Sequence, residues 1–164
     1  MTKSVKYLIE ALRSELENYG EMLALLDRQQ EFLIARAASE LFQSINSIKT
    51  QGVAISQARS HREACRRTVA DEYRLPEQAG FPALIPLLPP DYQPLLKALV
   101  HENNELLKRV RQRARQNHLM LRRSVALMQE LLDSLLPSRQ PAACPAAASR
   151  PKAARDRRLL QALR

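Results

Sequence analysis

The chain has 164 residues, 45% of them hydrophobic, with three Gly, no Trp, 4% aromatics and a formal net charge of +9. That length suits one domain with an appendage, and a composition rich in Leu, Ala, Glu, Arg and Gln favours helices and argues against a sheet. Residues 138–164 hold seven basic residues against Asp156 alone, so +6 of the charge belongs to this tail and the body is too nearly neutral to read as a whole-domain nucleic-acid binder.

The start, MTKSVKYLIEALRSELENYG, has no apolar run of signal length. No window approaches the roughly 18–20 apolar residues of a membrane span. A soluble, cytoplasmic protein is expected, with Cys65 and Cys144 both reduced.

The first helix is predicted over 4–36, with Ser4 as its N-cap. Its stripe is Val5, Leu8, Leu12, Leu16, Tyr19, Leu23, Leu26, Gln30, Leu33 and Ala37, at helical spacing. Glu10, Glu17, Glu21, Arg28 and Glu31 mark the opposite, solvated face. Ala37-Ala38-Ser39-Glu40 is the expected turn, and Ser39 the cap of a second helix over 39–74. That helix carries Leu41, Ile45, Ile48, Gly52 and Ile55, thinning through Ala58, Arg62, Cys65 and Val69 to Tyr73. Its serines and threonine give it low intrinsic propensity, so it depends on packing.

Residues 75–91, LPEQAGFPALIPLLPPD, stop the second helix, because five prolines and Gly80 forbid a continuous one. Phe81, Leu84, Ile85, Leu87 and Leu88 make the link too apolar to hang in water. It is expected to fold over one end of the bundle, with a short helical turn at 83–88.

The last helix, 92–136, is the element that organises the rest. Leu96, Leu99, Leu106, Val110, Ala114, Leu121, Val125, Met128, Leu132 and Leu135 draw one stripe along it, with Asn103 and Asn117 in the same seam. Polar seam residues fix register at a cost in stability. Beyond His118, Leu119, Met120, Leu127, Leu131 and Leu136 lie off that stripe, so the helix is apolar on two sides. Such a segment needs two internal neighbours, or one neighbour and an outside partner. The Pro/Ala/Arg-rich tail, 138–164, is expected to be disordered apart from transient turns at 157–164. The fold class that follows is all-α: an elongated antiparallel three-helix bundle or coiled coil, residues 1–137, with a Pro-rich apolar link before the last long helix.

Catalytic chemistry has no visible carrier. There is no phosphate-cradling Gly loop, no nucleophile–base pattern and no paired carboxylates in an apolar setting. His61 and Cys65 lie one helical turn apart, but no third ligand accompanies them. No catalytic residue, cofactor or metal is expected. Lys108, Arg109, Arg111, Arg113, Arg115, Arg122 and Arg123 give a run of +7 without an acid. No aromatic residue interleaves them for base stacking, so a solvated waist is favoured over an acidic protein partner, and both over nucleic acid.

The run 75–137 resembles the FlgN family of flagellar export chaperones. The resemblance is carried by Leu88-Pro89-Pro90, Glu102-Asn103-Asn104-Glu105-Leu106-Leu107, Arg115-Gln116-Asn117 and Ser124-Val125-Ala126-Leu127-Met128. It is specific in the last helix and only compositional in the first two. The tail has no counterpart in it. The resemblance implies a cytoplasmic type III export chaperone. Its partners would be the terminal helical segments of hook–filament junction proteins of the FlgK/FlgL type and the export gate, and it would hydrolyse no nucleotide. A helix with two apolar faces suits capture of an amphipathic segment. Leu121, Val125, Met128, Leu132 and Leu135 are the expected seam; Leu119, Met120, Leu127 and Leu131 are the expected client-facing side. The two sets exchange roles if the bundle is rotated, so all nine are client-binding candidates. The competing reading is a structural coiled coil or homodimer that hides the same side chains.

Overall fold

The computed structural model describes residues 2–135. They form three long helices, α1 (Thr2–Ala35), α2 (Ala38–Glu72) and α4 (Gln93–Leu135). Between α2 and α4 the link forms a single-turn α3 (Phe81–Leu84) and a 3-10 turn (Ile85–Leu87). The chain is all-α, as expected, and no strand occurs among the described residues. Leu136, the tail 138–164 with Cys144, and the turns expected at 157–164 lie outside the described residues. The chain divides into two units, 1–128 and 129–164; of the second, only the last residues of α4, 129–135, are described, and their side chains are exposed.

In the first unit, α1 and α2 form an antiparallel hairpin. Val5, Leu8, Leu12, Tyr19, Leu26 and Leu33 of the expected stripe are buried, and Glu10, Glu17, Glu21, Arg28 and Glu31 face solvent. The expected α2 stripe is half-buried along its length and fully buried at Val69. Two of the expected caps differ. Ser4 lies inside α1, where its hydroxyl donates to the Glu72 carboxylate and ties the start of α1 to the end of α2. Ser39 lies in the first turn of α2, whose cap position is Ala37 with no side-chain hydrogen bond.

The reversal is tighter than the sequence suggests. Arg36 takes a left-handed conformation (φ 54°). The Ala37 amide then donates to the Phe32 carbonyl at 3.0 Å and the Arg36 amide to Leu33 at 3.4 Å, the paired bonds of a Schellman closure. The same device ends α2: Arg74 has φ 56°, its amide donates to Asp71 and the Leu75 amide to Ala70. Both left-handed positions hold Arg where Gly is usual.

The two seam asparagines set how α4 lies on α1. Asn103 Nδ2 donates to the Leu12 carbonyl at 3.0 Å and Asn117 Nδ2 to the Leu26 carbonyl at 2.7 Å, each across 91 positions of sequence. A constant offset means that the two helices run parallel and in register over two heptads. The same offset pairs Val5 with Leu96 and Leu8 with Leu99 in one apolar cluster, and Tyr19 with Val110 in the other. Ala114, expected in this seam, is exposed; Arg113 turns inward instead, forming an ion pair with Asp27 at 2.6 Å and donating to Gln30.

A polar layer falls on α1 between the two clusters. Glu15 is buried, accepts from the Tyr19 hydroxyl at 2.8 Å and pairs with Arg62 at 3.3 Å. Burial, followed by the bond to the Glu15 carboxylate, pushes the Tyr19 phenol up to about 12.

The link closes the first cluster as expected. Leu84 and Leu88 are buried among Val5, Leu8, Ile9, Val69, Leu96 and Leu99. Prolines leave few amides for internal hydrogen bonds, so the link is held from outside. Arg66, itself buried, donates to the carbonyls of Glu77 (2.7 Å) and Ala79 while its Nε donates to Glu63. The guanidinium in turn holds the Glu63 carboxyl below the usual range.

Candidate functional site: the unpaired stretch of α4

The buried line on α4 runs through Leu96, Leu99, Asn103, Val110 and Asn117, and then stops. Met120 and Leu121 are half-buried, Met120 Sδ accepting a weak bond from Gln30 Nε2 at 3.7 Å. From Arg122 to Met128 every side chain is exposed. The pairing of α1 with α4 accounts for the exposure from Leu127 onward. Helix α1 ends at Ala35, which the 91-residue offset sets level with Ala126. The seam pattern of the sequence continues past the point at which its partner helix turns away.

The sequence-named residues therefore separate into two groups. Leu119, Val125, Leu127 and Met128 are exposed to 56, 51, 59 and 67%, whereas Met120 and Leu121 are half-buried, Met120 against Gln30 of α1. Val125 and Met128, expected in the seam, lie as open as Leu119 and Leu127, expected to face a client. Leu131, Leu132 and Leu135, further along the same helix, are exposed as well. Covering one such side chain is worth on the order of 1–2 kcal/mol, so several together suffice for reversible capture of an apolar helix face.

The residues around this stretch give it a basic character. Lys108 pairs with Glu105 at 2.6 Å and Arg113 with Asp27. Arg109, Arg111, Arg115, Arg122 and Arg123 are exposed and make no ion pair among the described residues. Among the exposed apolar residues that escaped the sequence reading, Ile34 (69%) and Phe42 (71%) stand either side of the α1–α2 turn. Ile34 lies off the α1 stripe, and that was the available signal.

Elsewhere the described residues offer little chemistry. Cys65 Sγ and His61 Nε2 stand 3.8 Å apart, and no group of three or more His, Cys, Asp or Glu arranged for a metal occurs among the described residues. Phe81, Pro82, Ile85, Pro94 and Val100 line an apolar cleft beside the link, with Lys97 at its edge. No described helix is long and apolar enough to cross a membrane.

Compared with known families, residues 1–144 match the model of the FlgN protein. The chain belongs to the FlgN family. No curated protein and no solved structure matches it. FlgN proteins are flagellar export chaperones, a family that binds hook-associated proteins in general and is not one of enzymes. In this FlgN chain the open stretch of α4 falls within the matched region.

Proposed function

We propose that this FlgN chain is a cytoplasmic type III chaperone that captures the terminal helical segments of hook–filament junction proteins of the FlgK/FlgL kind. It keeps them unassembled and presents them at the export gate. The client-binding residues are Leu119, Met120, Leu121, Val125, Leu127, Met128, Leu131, Leu132 and Leu135. One observation carries this reading: in a helix whose earlier apolar positions are enclosed, these side chains are exposed or only half-covered. Subunits that polymerise through amphipathic ends need those ends covered beforehand, and helix-to-helix packing does so without covalent chemistry. Met120 and Met128 add side chains that adapt to more than one partner face.

The test is Leu127→Ser with Leu131→Ser. The double variant is expected to keep the helical signal and melting temperature of the parent while no longer co-purifying with a junction protein. Retained capture, or loss of fold, overturns the assignment. The same exposed side chains would also serve a homodimer, and light scattering at micromolar concentration separates the two: a stable dimer that excludes client favours self-association.

A further inference from the structure

The arginines of α4 are left over once client capture is assigned to its apolar side chains. From Leu106 to Gln129 the chain has no acid and no Phe, Tyr or Trp. Five exposed arginines in this stretch make no ion pair among the described residues. On a helix turning about 100° per residue, Arg111, Arg115, Leu119, Arg122 and Ala126 fall within an arc of about 80°. That arc lies on the side of α4 away from the buried Val110 and Asn117. Arg113, which points inward, is the arginine of this segment that finds a carboxylate, Asp27. The outward arc thus concentrates one sign of charge that no ion pair among the described residues neutralises.

We infer that this arc docks the protein on an anionic lipid surface, with Arg111, Arg115 and Arg122 at the phosphates and Leu119 entering the headgroup boundary. Charge complementarity alone would admit any polyanion. The apolar members of the arc decide among them. Leu119 and Ala126 gain nothing among the phosphates of a duplex, and single strands would find no aromatic platform for their bases. A bilayer interface rewards arginine and leucine on one helix face. Docking of this kind is peripheral and reversible; it shares Leu119 with the client assignment, and its arginines belong to neither seam nor client side.

The experiment is co-sedimentation of the full chain with vesicles of phosphatidylcholine alone and of phosphatidylcholine with phosphatidylglycerol, at low and physiological salt. Binding is expected only to the phosphatidylglycerol vesicles and is expected to weaken as salt rises. The variant R111E/R115E/R122E should lose at least tenfold in binding while keeping its helical signal. Because the tail is also basic, R150E/R155E/R157E/R158E is measured beside it and is expected to keep most of the binding. Three results would overturn the inference: no binding by the parent chain, undiminished binding by the α4 charge reversal, or binding to duplex DNA or polyglutamate as tight as to vesicles. Loss of client capture in L127S/L131S with vesicle binding intact would show that docking survives without the client side chains other than Leu119, which the two surfaces share.

Discussion

Leu96 and Leu99 near the start of α4 are enclosed, whereas Val125 and Met128 further along the same stripe stand more than half exposed. All four are apolar and lie on one stripe, so the difference lies in what is opposite. At the start, α1 supplies Val5 and Leu8, α2 supplies Val69, and the proline-rich link folds Leu84 and Leu88 across the opening. Further along, α1 reaches Ala35 and reverses, and no described segment closes the gap. One part of α4 is thereby committed to holding the fold together, and a later part remains available for a partner.

Truncating the closed region should hurt most. Leu84→Ala removes a fully buried side chain from the link's contact with α1 and α4. A loss of about 3 kcal/mol is expected from the missing transfer energy and the cavity left behind. Urea unfolding measures it, and a loss below about 1 kcal/mol would mean that the link is not the closing wall described above.

The polar layer between the clusters gives the next effect, and it is visible in pH. The Tyr19 phenol titrates near 12 in the folded chain, above its ordinary value of 10. A raised folded value means that this contribution is complete below pH 10 and is lost as pH rises from 10 towards 12. The rise corresponds to something on the order of 2–3 kcal/mol. The difference in stability between the parent and Tyr19→Phe, followed across pH 9–12, should shrink over that window. A pH-independent difference would show that the phenol is neither buried nor bonded to Glu15 as described.

Much of the fold was legible in the sequence because periodicity reports which residues share a face. The stripes of α1 and α2 and the solvated glutamates were readable in that way, and the enclosed link from the apolar side chains between its prolines. Periodicity does not report whether anything lies opposite the face. Val125 and Met128 continue the phase of Leu96 and Leu99, and only the pairing of Asn103 with Leu12 and Asn117 with Leu26 shows where α1 runs out. Local chemistry was missed for a related reason. Glu15 falls in phase with Leu8, Leu12 and Tyr19, but its buried pairing with Arg62 needs the antiparallel hairpin to exist first. Arg66 reads as one more surface arginine until the link folds back onto it. Neither left-handed arginine carries the Gly signal by which such helix ends are recognised.

Those arginines give a smaller and opposite effect. Arg36→Gly and Arg74→Gly relieve the left-handed strain of a side-chain-bearing residue, offset in part by the greater freedom of glycine in the unfolded chain. Each is expected to stabilise by about 0.5–1 kcal/mol and to raise the melting temperature by a few degrees. The gain at Arg36 should leave capture on α4 unchanged, because the Schellman bonds are made by backbone atoms that glycine retains. Destabilisation by either substitution would mean that the arginine side chain does more than its backbone conformation shows.

The smallest expected effect on stability is the most telling for function. Leu127 and Leu131 are exposed to 59 and 60%, against 0% for Leu84 and Leu96. Serine at both positions removes little that the folded chain encloses, and surface changes of this kind ordinarily fall within about 0.5 kcal/mol. Serine also has a lower helix propensity than leucine, by a few tenths of a kcal/mol per site, which sets the size of the residual loss. The contrast with Leu84→Ala is thus several-fold in stability and reversed in client capture. A double variant that melts like Leu84→Ala would place these leucines in an enclosed interface, either within the chain or between two copies. Light scattering on the parent would then distinguish those two cases, since only the second changes mass with dilution.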